Sequence, residues 1–274
     1  AFLGSLAKIQ RPNKLPDITT LTKTLKRYAV RRIVIEASST VPGDEFLAYV
    51  QILKKQFSID CSPYIPTKTR IILLDHPVKT LFTACTSAKR RGVRRALKNN
   101  IRVVQSEDIN TLISIKARSA GLFGFITTSG LSKLWSVFGK NGKASILLAY
   151  KIRNNQEHQH HAPDYSSDVY SSHLDRSMHE TEELVGGVLL VMWEDTAYYW
   201  IAGSTKKGKK LFAPTLLVWE AIKTAKEKGY TRFDFVGVSD ERIPQYFKDW
   251  KGFTAFKEGF GGTDLYYPIH LERH

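Results

Sequence analysis

Residues 184–203 read LVGGVLLVMWEDTAYYWIAG, two apolar runs, Leu184 to Trp193 and Ala197 to Gly203, parted by a short polar step. Neither run alternates cleanly, which is the habit of strands covered on both faces. Each is strand-sized, far short of the ~18 to 20 apolar residues that span a bilayer. Upstream, Ala144 to Ile152 (ASILLAYKI) is a third run of this kind. The polar stretch between, Arg153 to Glu183, is read as a long loop. Downstream, Pro214 to Lys228 is predicted as a helix with Pro in its first turn and Gly229 just past its end, and Phe233 to Val236 as a strand.

On the N-terminal side, periodicity predicts a helix over Ile18 to Tyr28, a strand over Arg32 to Ala37 and a helix over Asp44 to Phe57. A strand over Thr69 to Asp75 (TRIILLD) and a strongly basic helix over Lys79 to Asn100 follow. Ile101 to Gln105 reads as a strand, then Glu107 to Ala120 and Ser129 to Gly139 as helices. The later half thus runs helix, helix, three strands, helix, strand and a Gly-rich end, whereas a Rossmann domain alternates strand and helix from its start. The expected class is α/β (α+β), with a first domain over 1–100 that ends in the basic helix and a second over 101–274.

With 42% hydrophobic residues the chain can bury a sizeable core, and no segment reads as transmembrane. Its start has neither Met nor a signal pattern and is read as lying inside a longer gene product. Cys61 and Cys85 fit no zinc spacing and are expected to be reduced, buried thiols. His158, His160, His161, His173 and His179 lack Cys neighbours and ordered spacing, so no metal is expected, and no cofactor either. The net charge is +15, and it is uneven: residues 1–110 hold 20 Lys and Arg against 8 Asp and Glu, the remainder 21 against 18. Such a field favours tRNA, anionic lipid headgroups or a nucleotide-linked substrate.

Three passages resemble the FemA/FemB/FemX family of peptidoglycan bridge-forming aminoacyltransferases. The first is Arg90 to Ile101, RRGVRRALKNNI. The second runs from Tyr198 to Gly203 (YYWIAG) through Leu216 to Ala221 (LLVWEA) and Gly229 to Phe233–Gly237 (FDFVG). The third is Phe256 to Gly262, FKEGFGG. The resemblance implies tandem GNAT-like acyltransferase domains, the first incomplete at its N-terminus and without a coiled-coil arm. It also implies transfer of an amino acid from aminoacyl-tRNA to the stem peptide of a lipid-linked or UDP-linked muropeptide. The expected location is the cytoplasm, with peripheral contact at the inner membrane surface. The alternative is a GNAT-type N-acyltransferase using an acyl-CoA donor; a third reading is a non-catalytic binding module. Lys206 to Lys210, KKGKK, stands where acyl-CoA enzymes of this fold keep a Gly-rich pyrophosphate loop, but without its spacing. It reads either as a solvated flexible loop or as an anion site at a helix start.

Lys257 matches the family Lys that stabilises the ester oxygen as it turns anionic, and it is placed in a Gly-bounded turn with Phe256 beside it as a substrate contact. Asp234 is either a proton acceptor or a tie for a neighbouring loop. Arg90 and Arg94 fall four apart on one helix face, with Arg95 next to them, and no acid offsets them; they are expected to fork onto phosphate. Arg118, followed by Gly121, resembles the stretch that holds the precursor. Tyr198, Tyr199 and Trp200 are core aromatics or substrate contacts by alternation, with Tyr199 the expected contact.

Overall fold

The computed structural model describes residues 5–60, 62–120, 128–153 and 181–270. The chain folds as two compact units, Ala1–Leu73 with Asp234–His274, and Leu74–Phe233. The division therefore falls at 73 and 233 rather than near residue 100, because the chain from Asp234 onward folds back onto the N-terminal part.

The first unit opens with alternating strand and helix: β1 (Ser5–Gln10), α1 (Ile18–Arg27), β2 (Val30–Glu36), α2 (Gly43–Lys54) and β3 (Ser58–Ile59). The three strands pair in parallel in the order β1-β2-β3, as strands joined by helical crossovers must. Ile33 and Ile35 of β2 pack with Leu25, Phe46, Val50, Leu53 and Phe57 in one apolar core. Asp17 caps α1, its carboxylate accepting from Thr20 N at 2.8 Å. β4 (Lys68–Leu73) pairs antiparallel with β10 (Thr263–Tyr266), Thr263 facing Ile71.

The second unit holds a sheet in the order β9-β8-β7-β6-β5, antiparallel from β8 to β5, from β5 (Ile101–Ser106), β6 (Ala144–Arg153), β7 (Thr181–Trp193), β8 (Thr196–Ser204) and β9 (Arg232–Asp234). β6 pairs with β7 over ten residues of each register, and Trp193 faces Thr196 across the turn that joins β7 to β8. Packed on it are α3 (Val78–Ala84), α4 (Ser87–Lys98), α5 (Ile109–Ala120), α6 (Leu131–Phe138), α7 (Lys206–Lys210) and α8 (Ala213–Glu227). The poor alternation of the three central runs has its reason here: Val188, Leu189, Leu190 and Met192 are all fully buried. Gly203 is required by packing, since a Cβ there would lie 2.7 Å from the Lys116 Cα on α5.

Four local readings change. The basic helix breaks into α3 and α4, because Cys85 is extended (ψ 147) and Thr86 caps α4 with its hydroxyl. KKGKK is the helix α7, capped by Thr205 Oγ1 on Gly208 N at 2.9 Å. Phe233 to Val236 leaves the strand after Asp234, since Val236 turns to φ +56. FKEGFGG begins on a helix, α9 (Lys251–Glu258), rather than in a turn. Cys85 is buried with its thiol on Leu81 O at 3.5 Å, and burial raises that thiol to about 11; Cys61 and the histidine-rich loop lie outside the described residues. Among the described residues no helix is long and apolar enough to cross a membrane, and no group of His, Cys, Asp or Glu could hold a metal ion.

Candidate functional site

Within the first unit the chain leaves β9 through Phe235, Val236 and Gly237. Val236 has φ +56 and Gly237 φ +115. A β-branched residue at positive φ is a true outlier, and such strain persists only where neighbours over-determine it. Here they do. Asp234 Oδ1 accepts from Val236 N at 2.6 Å and from Thr69 Oγ1 at 2.5 Å. Thr69 Oγ1 in turn accepts from Gly237 N at 3.0 Å. On β4, Arg70 O and Lys68 O accept from Phe235 N and Val238 N, at 3.1 and 3.0 Å. A Cβ at Gly237 would stand 2.7 Å from the Pro66 ring and 3.1 Å from Trp250, so only glycine fits. Pro66 O is itself held by the Arg11 guanidinium, which lies over the Tyr267 ring and donates to Ala37 O at 3.0 Å.

Lys257 closes the loop from the other side. In the last turn of α9, its Nζ donates to Phe235 O at 2.8 Å and to Gly237 O at 2.6 Å. The Phe253 ring lies 4.8 Å from the same ammonium, one turn back on the helix. An ammonium has three N–H groups; two are spent on these carbonyls and a third is left. Burial lowers the Lys257 pKa to about 8, and the charge of Asp234 opposes that shift. Burial likewise raises the Asp234 carboxyl, against the hydrogen bonds from Thr69 and Val236 and the charge of Lys257.

The glycines after Lys257 have a mechanical reason. Gly261 and Gly262 sit at φ +89 and +81, and a Cβ at Gly262 would run into Ile71 O on β4. Arg70 clasps this turn, with Nε on Gly261 O at 2.7 Å, Nη2 on Gly262 O at 2.8 Å and Nη1 on Asp264 Oδ1 at 2.5 Å. Beside it, fully buried Asp240 takes hydrogen bonds from Thr67 Oγ1 at 2.6 Å and from Arg242 Nη2 at 2.7 Å. Phe256 packs edge-on against Phe260, 5.4 Å between centroids, which ties it to the apolar support of the site.

The structure thus brings Lys257, Asp234 and Phe256 into one unit. It places Arg118, Tyr199, Arg90, Arg94 and Arg95 in the other. There Tyr199 packs on Phe233 at 6.2 Å, its phenol pushed up by burial, and Arg118 is exposed in the last turn of α5. The Arg90 guanidinium donates to Thr83 O at 2.8 Å and to Cys85 O, while Arg94 and Arg95 are exposed. Thr69, Arg70 and Arg11 were not singled out from sequence.

Residues 143–265, which include β6 to β9, Asp234 and Lys257, match the model of the FemAB family. FemX is similar in structure at a TM-score of 0.66 and 16% identity, with 95% of this chain and 78% of FemX covered. A C-terminal domain assigned to a lysylphosphatidylglycerol synthetase of Agrobacterium fabrum is similar at TM-score 0.51 and 10% identity, over 91% of this chain and 70% of that one. No curated protein sequence matches significantly. The α/β, GNAT-like fold class expected from the sequence is the observed one.

Proposed function

We propose that this chain is an aminoacyltransferase of the FemAB type that moves an amino acid from aminoacyl-tRNA to the stem-peptide amine of a peptidoglycan precursor, lipid-linked or UDP-linked. The observation that carries the reading is the ammonium of Lys257, pinned by two carbonyls of a strained loop with one N–H to spare. In this reaction the amine nitrogen attacks the ester carbonyl carbon, and the carbonyl oxygen becomes an oxyanion. The third N–H of Lys257 is the donor offered to that oxygen, already oriented and so without reorganisation cost at the moment of reaction. Collapse breaks the ester C–O bond, and the ribose oxygen leaves with the proton given up by the amine. Asp234 is assigned to positioning: buried and engaged by Thr69 and Val236, it holds the loop against which Lys257 is set. Such a reaction belongs in the cytoplasm, where charged tRNA is found, with the precursor lipid drawing the protein to the membrane face.

The experiment is single-turnover transfer from radiolabelled aminoacyl-tRNA at saturating precursor, with acyl-CoA as a parallel donor. Lys257→Met is expected to lower transfer by roughly 10²- to 10³-fold, the scale for one lost oxyanion donor. Transfer from acyl-CoA but not from tRNA would replace the reading with the N-acyltransferase one, and near-wild-type transfer by the variant would remove Lys257 from catalysis.

A further inference from the structure

Two basic segments, well separated in sequence, meet in the second unit. α4 carries Arg91, Arg94, Arg95 and Lys98, all exposed, and α7 carries Lys206, Lys207, Lys209 and Lys210, all exposed. α7 runs through Leu211 and Phe212 into α8, and α4 packs on α8. The meeting point is Phe212, whose ring lies 5.6 Å from the Arg95 guanidinium. Gly92 allows the approach: a Cβ there would lie 3.0 Å from Thr215 Cγ2 and 3.5 Å from Phe212 Cδ1. α7 is fixed in turn by Gly208, whose position against Val185 O and Ser204 Oγ leaves no room for a side chain. With the glycine inward, the four lysines face out.

These eight cations repel one another, and among the described residues only Lys207 has an acidic partner, Glu183. Glu220 on α8 is engaged by Lys223 at 2.8 Å. Like charges gathered without counter-charge cost stability unless a polyanion meets them. Two arginines are also pre-aimed, Arg95 over Phe212 and Arg94 over Phe82 at 5.8 Å. A guanidinium held near a ring in this way keeps N–H groups for a bidentate bond to phosphate. Phe82 and Phe212 are both half-buried, and Phe82 lies 4.8 Å from Trp219, so they do not offer the open aromatic platforms on which single-stranded bases are bound. Two rows of cations without such a platform suit the phosphates of a double helix.

Resting on the aminoacyl-tRNA reading above, we infer that α4 and α7 form one composite surface for the double-helical stem of an RNA, with Phe212 as the joint between its two rows. The chain up to Leu211 that reads as a lysine run is then half of a binding face and not a solvated loop.

The test uses the full chain and a labelled, uncharged RNA hairpin with a single-stranded 3′ end, titrated over a salt series. Log affinity is expected to fall linearly with log salt. The α4 pair Arg91→Ala with Lys98→Ala, and the α7 pair Lys209→Ala with Lys210→Ala, should each flatten that slope by roughly 1 to 2, and the four together by about the sum. Lys209→Gln with Lys210→Gln repeats the α7 arm with longer side chains, and thermal melting checks that each variant is folded. An α7 variant with unchanged slope beside an α4 variant with a flattened one would overturn the composite surface. So would equal binding of a single strand of the same length, or patch-dependent binding of phosphatidylglycerol vesicles in place of the hairpin. Patch-dependent hairpin binding by a protein that transfers nothing from charged tRNA would sink the donor reading and leave the surface standing. Transfer from charged tRNA with KM unmoved in both pairs would do the reverse.

Discussion

Lys257 Nζ donates to Gly237 O at 2.6 Å, so the FKEGFGG and FDFVG motifs, twenty residues apart, are two halves of one device. The lysine is part of what holds the strained loop. Lys257→Met therefore has a structural cost as well as the catalytic one: Phe235 O and Gly237 O lose a charged donor, at about 1–3 kcal/mol for the pair if water replaces part of the bond. Thermal melting should fall by several degrees while the chain stays folded. A melting temperature equal to wild type would show that the two carbonyls need no brace.

Because burial holds the Lys257 pKa near 8, activity and stability should respond to alkali with opposite signs. Above about 8 the ammonium loses its third proton; the neutral amine still has two N–H groups for the carbonyls but none for an oxyanion. Transfer should fall as pH rises through about 8. Stability runs the other way: between about 8 and the ordinary 10.5 the unfolded state binds the extra proton, so stability relative to Lys257→Met should rise with pH across that window and be flat below it. A rate profile flat to pH 10 would contradict the protonated-donor role.

Asp234→Asn separates positioning from proton transfer. The amide keeps an Oδ1 for Thr69 Oγ1 and Val236 N, so the fold should hold, whereas Asp234→Ala leaves a buried N–H unmet at about 1–3 kcal/mol. The carboxylate charge raises the Lys257 pKa, and Asn removes it. The alkaline limb of the rate should thus move below about 8, with the plateau reduced by less than tenfold. Loss of transfer at every pH by a hundredfold or more would make Asp234 the proton acceptor.

Much of this was legible in the residues. Val188 to Met192 reads as a covered strand because every neighbour is apolar, and α8 is marked at both ends by Pro214 and Gly229. Lys257 stood out through its motif. Thr69 did not: nothing in TRIILLD says that its hydroxyl will meet a carboxylate 165 positions later. Arg70 meets the Gly261 carbonyl over a separation of 191, a pairing set by β4 and β10 and not by any local pattern. The two-residue β3 is too short for periodicity, and α7 has a glycine at its centre, which argues against a helix until Val185 and Ser204 are seen to fill the space.

Gly237 and Gly229 both have positive φ, +115 and +83, but only the first is crowded. An added methyl meets Pro66 and Trp250 at Gly237 and nothing within 4 Å at Gly229. Gly229→Ala should cost about 1 kcal/mol, the left-handed penalty alone. Gly237→Ala should cost more, about 2–3 kcal/mol with the clash added, and abolish transfer because it moves the carbonyl that aims Lys257. Urea unfolding of the two variants side by side decides it, and equal costs would show that the Pro66 contact yields freely.

Arg90 and Arg94 look equivalent in sequence, four residues apart in one basic helix, and the structure gives them different work. The Arg90 guanidinium caps the end of α3 through Thr83 O, at 2.8 Å, and Cys85 O, carbonyls that a helix end leaves without intrahelical donors. Arg94 is exposed over Phe82, with no acidic partner among the described residues. Arg90→Ala should therefore destabilise by about 1.5–3 kcal/mol, the range for a charge-assisted bond, and leave the salt slope of RNA binding unchanged. Arg94→Ala should leave melting within a degree or two and flatten the slope by roughly 0.7 to 0.9, one phosphate's share. Arg90→Lys gives a finer reading: its ammonium can reach one carbonyl but cannot fork across two, so it should recover part of the lost stability without touching the slope. Melting and the salt titration are run on all three variants. A flattened slope in Arg90→Ala at wild-type stability would return that arginine to the phosphate-binding role and break the division of labour between the two.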